Sequence, residues 1–255
     1  MFEQAHDTLT GQTMFTKGAE GDFPATRWSL VLMAGGPERP EGRAALTSLC
    51  ESYWYPLYAY VRRSGYSADE AQDLAQDFIV RLLSGRYVNH ADREKGCFRA
   101  FLLSSLKFFL ADCRDRNRAQ KRGGGATLLP FEISDGEELY RREPSHAETP
   151  ERVYERRWAR ALLDRVLNRL RDEFIQHGRL DHFNRLKGHL IGQTDVPYAD
   201  LARQLDTSEG ALKAGIHRLR KRYRDLLRAE IAETVQDSSQ VDGEMRYLAS
   251  ALMGR

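Results

Sequence analysis

The chain has 255 residues with a formal net charge of +2, and its 41% hydrophobic and 30% charged residues exclude a fully disordered protein. The three cysteines, Cys50, Cys97 and Cys113, form no CxxC pair, which argues against a disulfide framework and a structural zinc site. No apolar run approaches the about 18 residues of a spanning helix, and the acidic start lacks the basic segment of a secretory signal, so we expect a cytoplasmic protein without membrane insertion.

The first predicted domain covers residues 26–122 and follows an arm of residues 1–25 that has no periodicity. Apolar residues recur at three and four positions in three segments, which predicts helices over residues 43–63, 67–83 and 97–118. Ser67 and Glu70 form a capping box at the start of the second helix. That helix is acidic and the third is basic, which indicates one surface for a basic protein and one for phosphate. The alternative is that such charge runs only solvate helix faces.

A segment rich in proline and acidic residues follows the glycines at 123–125. We predict that residues 123–155 form an extended acidic linker. Its 33 residues reach at most about 110 Å, more than the about 70 Å of two turns of duplex DNA, so it could join domains that sit on separate DNA sites. A flexible tether with no further role is the simpler interpretation.

The second predicted domain covers residues 156–235 and contains the most specific local pattern. A short helix, residues 198–205, is followed by the turn at 206–208 and by a long basic helix from Glu209. This order is typical of a helix-turn-helix, whose second helix enters the major groove of DNA. A plain helical hairpin would give a similar pattern.

Residues 236–255 form a predicted terminal helix with one narrow apolar stripe, made of Val241, Met245, Leu248 and Leu252. So short a helix is marginal in water, so we expect it to pack on the second domain. It could lie on the back of that domain as a brace or across the DNA-binding face as a lid. We favour the brace because an apolar stripe gains little from an arginine-rich face.

Four segments in this order resemble extracytoplasmic-function (ECF) sigma factors of bacterial RNA polymerase, in a sigma-70 group with a C-terminal extension. Residues 53–63 (YWYPLYAYVRR) resemble region 2.1, residues 70–78 resemble region 2.2, and residues 98–103 with Asp112 resemble regions 2.3 and 2.4. The helix-turn-helix resembles region 4.2. The resemblance implies an all-α protein in which a region 2 three-helix bundle and a region 4 helix-turn-helix are joined by the linker.

The resemblance also implies the partners, core RNA polymerase and promoter DNA, and it allows a separate anti-sigma or other regulatory protein. Three residues of the acidic helix would contact core polymerase: Asp73, Gln76 and Asp77. The −10 promoter element would be bound by Asn89, His90, Lys107, Arg114, Arg116 and Arg118, with the loop at 84–96 receiving an unstacked base. The −35 element would be bound by Ser208, Glu209, Lys213, His217, Arg218 and Arg220.

Three positions depart from the family pattern: Gln72 replaces a frequent Glu, Phe108 a frequent Asn, and Gly215 a frequent Arg. The −10 preference therefore cannot be transferred from relatives. The sequence has no P-loop, GxSxG or HExxH motif, so we expect no catalytic residue, metal or cofactor. A stand-alone helix-turn-helix regulator is the alternative function. A nucleic-acid-processing enzyme would need a carboxylate or histidine cluster that the sequence does not display.

Overall fold

A computed structural model describes residues 53–83, 97–119, 136–142, 148–191, 196–235 and 237–253. These residues are mostly helical and include no strand, which confirms the all-α fold class. Helix α1 spans residues 53–63, and the others are α2 (Ala68–Leu83), α3 (Phe98–Ala119), α4 (Gly136–Arg141), α5 (Pro150–Gln176), α6 (Leu180–Ile191), α7 (Tyr198–Gln204), α8 (Glu209–Ala232) and α9 (Val241–Met253). None of the helices within these ranges combines the length and the apolar character needed to cross a membrane.

The junction between α1 and α2 is fixed by local chemistry. Gly65 has a φ of +98°, a left-handed conformation that residues with a Cβ rarely adopt, and it ends α1. At the start of α2, the Glu70 carboxylate accepts from the Ser67 backbone N–H at 2.9 Å, and the Ser67 hydroxyl accepts from the Glu70 N–H at 3.3 Å. These reciprocal bonds confirm the capping box, and the hydrogen bonds that the Glu70 carboxylate accepts from the Ser67 backbone and hydroxyl lower its pKa.

The extended linker predicted over residues 123–155 is wrong for the part that the structure describes. Helix α5 begins at Pro150, six residues before the predicted start, and the short helix α4 lies further upstream. The Thr149 hydroxyl caps α5 by accepting from the Arg152 N–H at 3.3 Å. Proline suits the first helical turn because its missing N–H has no intrahelical partner there, so Thr149-Pro150 was a readable helix start.

Helix α4 docks on α1 through a close contact and an ionic one. A Cβ on Gly136 would lie 2.5 Å from the Trp54 ring, so only glycine allows this approach. Glu137 accepts hydrogen bonds from the Tyr58 hydroxyl at 2.8 Å and from the Arg62 Nε at 2.9 Å. Burial, with the hydrogen bond to Glu137, raises the pKa of Tyr58 to about 12, and the hydrogen bond from Arg62 lowers the pKa of Glu137. Glu137, an acidic residue of the predicted linker, is thus neutralised by Arg62 of the same chain.

The buried apolar side chains form one connected core that includes both predicted domains. Helices α1, α2 and α3 meet around aromatic pairs such as Phe78–Phe109, whose ring centroids are 5.7 Å apart. Helix α5 extends this core, because Tyr154 and Trp158 near its start are almost completely buried. The Tyr154 hydroxyl donates to the Arg99 carbonyl oxygen of α3 at 2.9 Å. The two predicted domains therefore contact each other, while the division of the chain into domains stays a prediction.

The far half of α5 packs against α6 and α8. Arg165 pairs with Glu230, and Glu173 pairs with Arg222, so α5 and α8 run antiparallel. Helix α9 packs on α5 and α8, with Val241 and Leu248 buried. It begins opposite Arg228, near the C-terminal end of α8, where Asp242 forms an ion pair. This is the arrangement expected of a brace rather than a lid.

Candidate nucleic-acid interface

Helices α7 and α8 form the predicted pair of helices joined by a tight turn. The residues that face each other are buried: Leu201 and Ala202 on α7, and Leu212, Ile216 and Leu219 on α8. Asp206 adopts a φ of +48°, which short polar side chains tolerate, and the Thr207 N–H donates to the Ala202 carbonyl at 3.0 Å. The arrangement can present one face of α8 to a groove of DNA.

That exposed face of α8 carries three of the residues predicted for the −35 element. Lys213, His217 and Arg218 are all exposed: Lys213 and His217 lie one turn apart, and Arg218 lies about 100° further around the helix, still away from its buried side. Lys213 forms an ion pair with Glu209 at 2.6 Å, one turn earlier, which raises the pKa of Lys213. Because both side chains are about half exposed, phosphate can compete for the ammonium group.

Two other residues predicted for the −35 element have structural roles. The Ser208 hydroxyl caps α8 by accepting from the Ala211 N–H at 3.1 Å. The Arg220 guanidinium donates to the His189 carbonyl oxygen at 2.8 Å, which ties α8 to the end of α6. The His189 ring in turn stacks on Tyr198 of α7, with centroids 5.0 Å apart. These contacts hold α8 in place beside α6 and α7.

A small cavity of about 290 Å³ opens beside the same face. It lies between α5, α6 and α8, and Arg218 and Gly215 are on its rim with Arg179 and His182. Burial, with the charge of Arg179, lowers the pKa of His182 and so favours its neutral form. A Cβ at Gly215 would meet nothing within 4 Å, because the cavity lies beside this position. A side chain in place of the glycine would therefore not clash at its Cβ.

Helix α3 presents the second basic surface, and its accessible cations are fewer than its sequence suggests. Lys107 and Arg114 are exposed, but Lys107 forms an ion pair with Glu151 of α5 at 2.7 Å. The hydrogen bond between them lowers the pKa of Glu151 and raises that of Lys107, so both stay charged near neutrality. The two side chains are 46% and 40% exposed, slightly less than Lys213 and Glu209, so a phosphate would have to displace Glu151 in order to bind Lys107.

The structure also exposes an aromatic residue that our sequence reasoning treated only as a departure. The Phe108 side chain is 64% exposed, beside Lys107 and on the same side of α3 as Ala111 and Arg114. An exposed aromatic ring among cations is the usual platform for an unstacked nucleic-acid base. The signal in the sequence was Phe108 itself, which stands next to a fully buried Phe109 and cannot share its direction in a helix.

The remaining predicted −10 residues are not brought together by the described structure. Asn89 and His90 lie outside the described residues. Arg116 and Arg118 are within α3, but their side chains fall outside the description. Arg99 is a further basic residue of α3, but it points into the interior, with only 11% of its side chain exposed. The helix therefore distributes its charge between an inner and an outer face.

The acidic surface of α2 is smaller than the sequence count indicates. Asp73 is exposed, and Gln76 is half-buried. Asp77 forms two hydrogen bonds with Arg81 at 2.7 and 2.9 Å, and the Arg81 guanidinium lies over the Phe109 ring. Asp77 stays 45% exposed although it pairs with Arg81, so Asp73 is the more accessible of the two carboxylates predicted to bind core polymerase.

Comparisons of the chain with protein-family models, with curated proteins and with solved structures find no match. Among the described residues, no group of three or more His, Cys, Asp or Glu side chains is arranged to hold a metal ion.

Proposed function

We propose that the chain is a promoter-recognition subunit of the ECF sigma type, which binds core RNA polymerase and the −35 and −10 elements of a promoter. In this proposal the exposed face of α8 reads the −35 element as duplex. Arg114 and Phe108 of α3 contact the separated strand of the −10 element, and Asp73 of α2 contacts a basic surface of the polymerase.

The observation that carries the proposal is the face of α8. A capped helix follows a short partner across a tight turn, its inner side is apolar, and its outer side presents Lys213, His217 and Arg218. This combination is suited to binding duplex DNA, because cations neutralise backbone phosphates while the first turns of the helix reach base edges. The accessible Phe108 on a second basic helix supports contact with unpaired bases, which a duplex reader does not need.

A stand-alone helix-turn-helix regulator is the second candidate. The pair between Lys107 and Glu151 favours it, because this pair leaves α8 as the larger free basic surface. Such a regulator would bind its DNA site without polymerase and would not need Asp73. The two functions therefore differ in whether the acidic helix matters.

Reconstitution with core polymerase on genomic promoters, followed by sequencing of transcript starts, tests the first function. We expect starts downstream of a shared two-part sequence, and we expect Asp73→Lys to abolish co-purification with core polymerase. Asp172→Lys, the same charge change at an exposed position of α5, is the matched control and should bind polymerase normally. Normal polymerase binding by Asp73→Lys, together with specific DNA binding by the protein alone, would favour the regulator.

A further inference from the structure

The cavity between α5, α6 and α8 has apolar walls. Its volume of about 290 Å³ corresponds to about ten water molecules, at about 30 Å³ each. Leu186 of α6 and Leu219 of α8 line it and are almost completely buried, and Phe174 of α5 packs on the core beside them. Walls of this kind suit the apolar body of a small molecule rather than a hydrated ion.

One wall of the cavity is built from aromatic rings. The Phe174 and His182 rings stack, with centroids 6.4 Å apart and an angle of 17° between their planes. Phe183, which is 2% exposed, packs on Phe174 with centroids 5.5 Å apart. Because Phe183 is part of the core, it holds Phe174 in place, and the cavity keeps a firm wall.

The rim of the cavity carries more positive than negative charge. Three arginines, Arg179, Arg218 and Arg222, stand against one carboxylate, Glu173. Glu173 accepts two hydrogen bonds from Arg222, at 2.6 and 2.9 Å, which lower the pKa of Glu173 and keep this pair ionised. Among the ion pairs of the described residues, neither Arg179 nor Arg218 has a carboxylate partner. Two guanidinium groups at the rim are therefore available to an anion.

The position of Arg179 is fixed by the aromatic wall. Its guanidinium carbon lies 5.3 Å from the centroid of the Phe174 ring. Burial, with the charge of Arg179, lowers the pKa of His182, which shows that this charge acts on the cavity. Guanidinium groups bind carboxylates through paired hydrogen bonds, so a carboxylate at the rim has a suitable partner on each side.

We propose that this cavity binds a small organic acid, whose apolar body packs on Phe174, Leu186 and Leu219 and whose carboxylate lies between Arg179 and Arg218. The binding site itself does not depend on the proposed function, but its consequence for DNA rests on it. Arg218 is one of the residues proposed to bind the −35 element, and a bound carboxylate withdraws it from phosphate. The acid and the duplex therefore weaken each other's binding.

The test follows the His182 ring signals of the full chain by NMR during titration with two acids, benzoate and 3-methylbutanoate. We expect at least one of them to bind with a Kd of about 1 mM or below. Benzamide has the shape of benzoate without its charge, and inorganic phosphate is an anion without an apolar body. Both should bind at least about tenfold more weakly than the better acid, because each lacks one of the two interactions.

Two variants remove the two halves of the site separately. Gly215→Leu fills the cavity, because a Cβ there meets nothing within 4 Å, and leucine is a better helix former than glycine, so the fold is retained. It should abolish saturable binding of both acids. Gly243→Leu on α9 is the matched control, since a Cβ there also meets nothing, and it should bind them as the wild type does. Arg179→Gln should weaken benzoate about tenfold and leave benzamide unchanged.

The effect on DNA is measured with a −35 duplex at constant ionic strength, with chloride replacing the acid. Saturating acid should lower the slope of log affinity against log salt by about 0.9, the value for one phosphate contact, in the wild type. The same addition should leave the slope of Gly215→Leu unchanged. Circular dichroism establishes that each variant is folded.

The site is overturned if neither acid shifts the His182 signals up to about 10 mM, or if benzamide or phosphate binds as tightly as the acids. Equal binding of the acids by the wild type and Gly215→Leu overturns it as well. Binding of an acid with an unchanged DNA slope would overturn the regulatory role and leave the site. If the wild type binds no promoter duplex, the proposed function fails, whereas the His182 titration still decides whether the cavity binds an acid.

Discussion

The two basic helices, α3 and α8, look alike in sequence and differ in the structure. On α8, Lys213 forms an ion pair with Glu209 of its own helix and lies 5.7 Å from the centroid of the Tyr198 ring of α7, and His217 and Arg218 are exposed. On α3, Arg99 is buried against α9 and Lys107 is paired with α5. The number of basic residues in a helix therefore sets the largest number of phosphates that it could bind. The neighbouring helices decide how many of those basic side chains are exposed.

The difference between the two helices depends on the packing of α5 on α3, and the largest expected effect comes from removing Trp158 of α5. This residue is 1% exposed and its ring lies under the Arg99 guanidinium. Trp158→Ala should lower the free energy of unfolding by about 3–5 kcal/mol, because it leaves a large cavity. Chemical denaturation would measure the loss, and Trp158→Phe, which retains a ring, should lose markedly less. A loss below about 1 kcal/mol for the alanine variant would contradict the packing of α5 on α3.

A smaller loss of stability is expected from a substitution where α4 packs on α1. Gly136→Ala would place a methyl group against Trp54, and we expect it to destabilise the protein by about 1–3 kcal/mol through overpacking. Gly210→Ala is the matched control, because a Cβ there meets nothing within 4 Å. Thermal melting of both variants would decide: equal melting temperatures would mean that α4 does not dock as described.

The charge comparison itself can be tested by the salt dependence of DNA binding. Lys213→Ala should reduce the slope of log affinity against log salt by about 0.9 on duplex DNA, the value for one phosphate contact. Lys107→Ala should change the slope for a single-stranded −10 oligonucleotide by less than the about 0.7 of one full phosphate contact, since phosphate must displace Glu151 from that ammonium group.

Releasing Lys107 sharpens the same test. Glu151→Gln should make the slope for the single strand steeper by up to about 0.7, and adding Lys107→Ala to it should cancel the gain. Titration of binding at four salt concentrations would measure both slopes. If Lys107→Ala alone lowers the slope by as much as Lys213→Ala does, then Glu151 does not restrict α3 and the two helices are equivalent.

The smallest expected effect concerns Gly215, in the middle of α8. Gly215→Ala should stabilise the protein by about 0.5–1 kcal/mol, because alanine costs less conformational entropy in a helix and meets no neighbour there. A rise in melting temperature of about 1–4 °C would be the expected measurement. A fall would mean that the adjoining cavity closes on Gly215 in solution.

Helix positions were the part of the fold most accessible to sequence reasoning, because their signals are local. The capping box at Ser67 and Glu70 acts over three residues, and Gly65 acts at a single one. The same holds for the cap at Ser208 that begins α8. The start of α5 was missed although its signal was equally local: Thr149 and Pro150 lay in a segment whose acidic composition indicated a linker.

The candidate site was only partly predictable, because availability depends on contacts between distant segments. The family resemblance implied that Lys107 and Asp77 bind partners, and nothing in the sequence indicated that Glu151, from another helix, pairs with Lys107. Arg81 forms the same kind of pair with Asp77. Asp77 and Arg81 are four residues apart, so that pair could have been read from helix periodicity. Periodicity already separates Phe108 from the buried Phe109, but only the structure shows that none of the described helices covers its ring, which is 64% exposed.

The sequence by itself determined that the described chain is helical, where most helices begin and end, and which face of α8 is apolar, since propensity, capping and periodicity act within a few residues. Only the tertiary structure decided which charged side chains pair with each other: Glu137 pairs with Arg62, 75 positions away, and Glu244 pairs with Arg99, 145 positions away. Such pairs form because burial of the apolar core brings distant helices together, and a charge left at their junction is stable only beside groups of neighbouring helices that neutralise it. No local pattern carries that information.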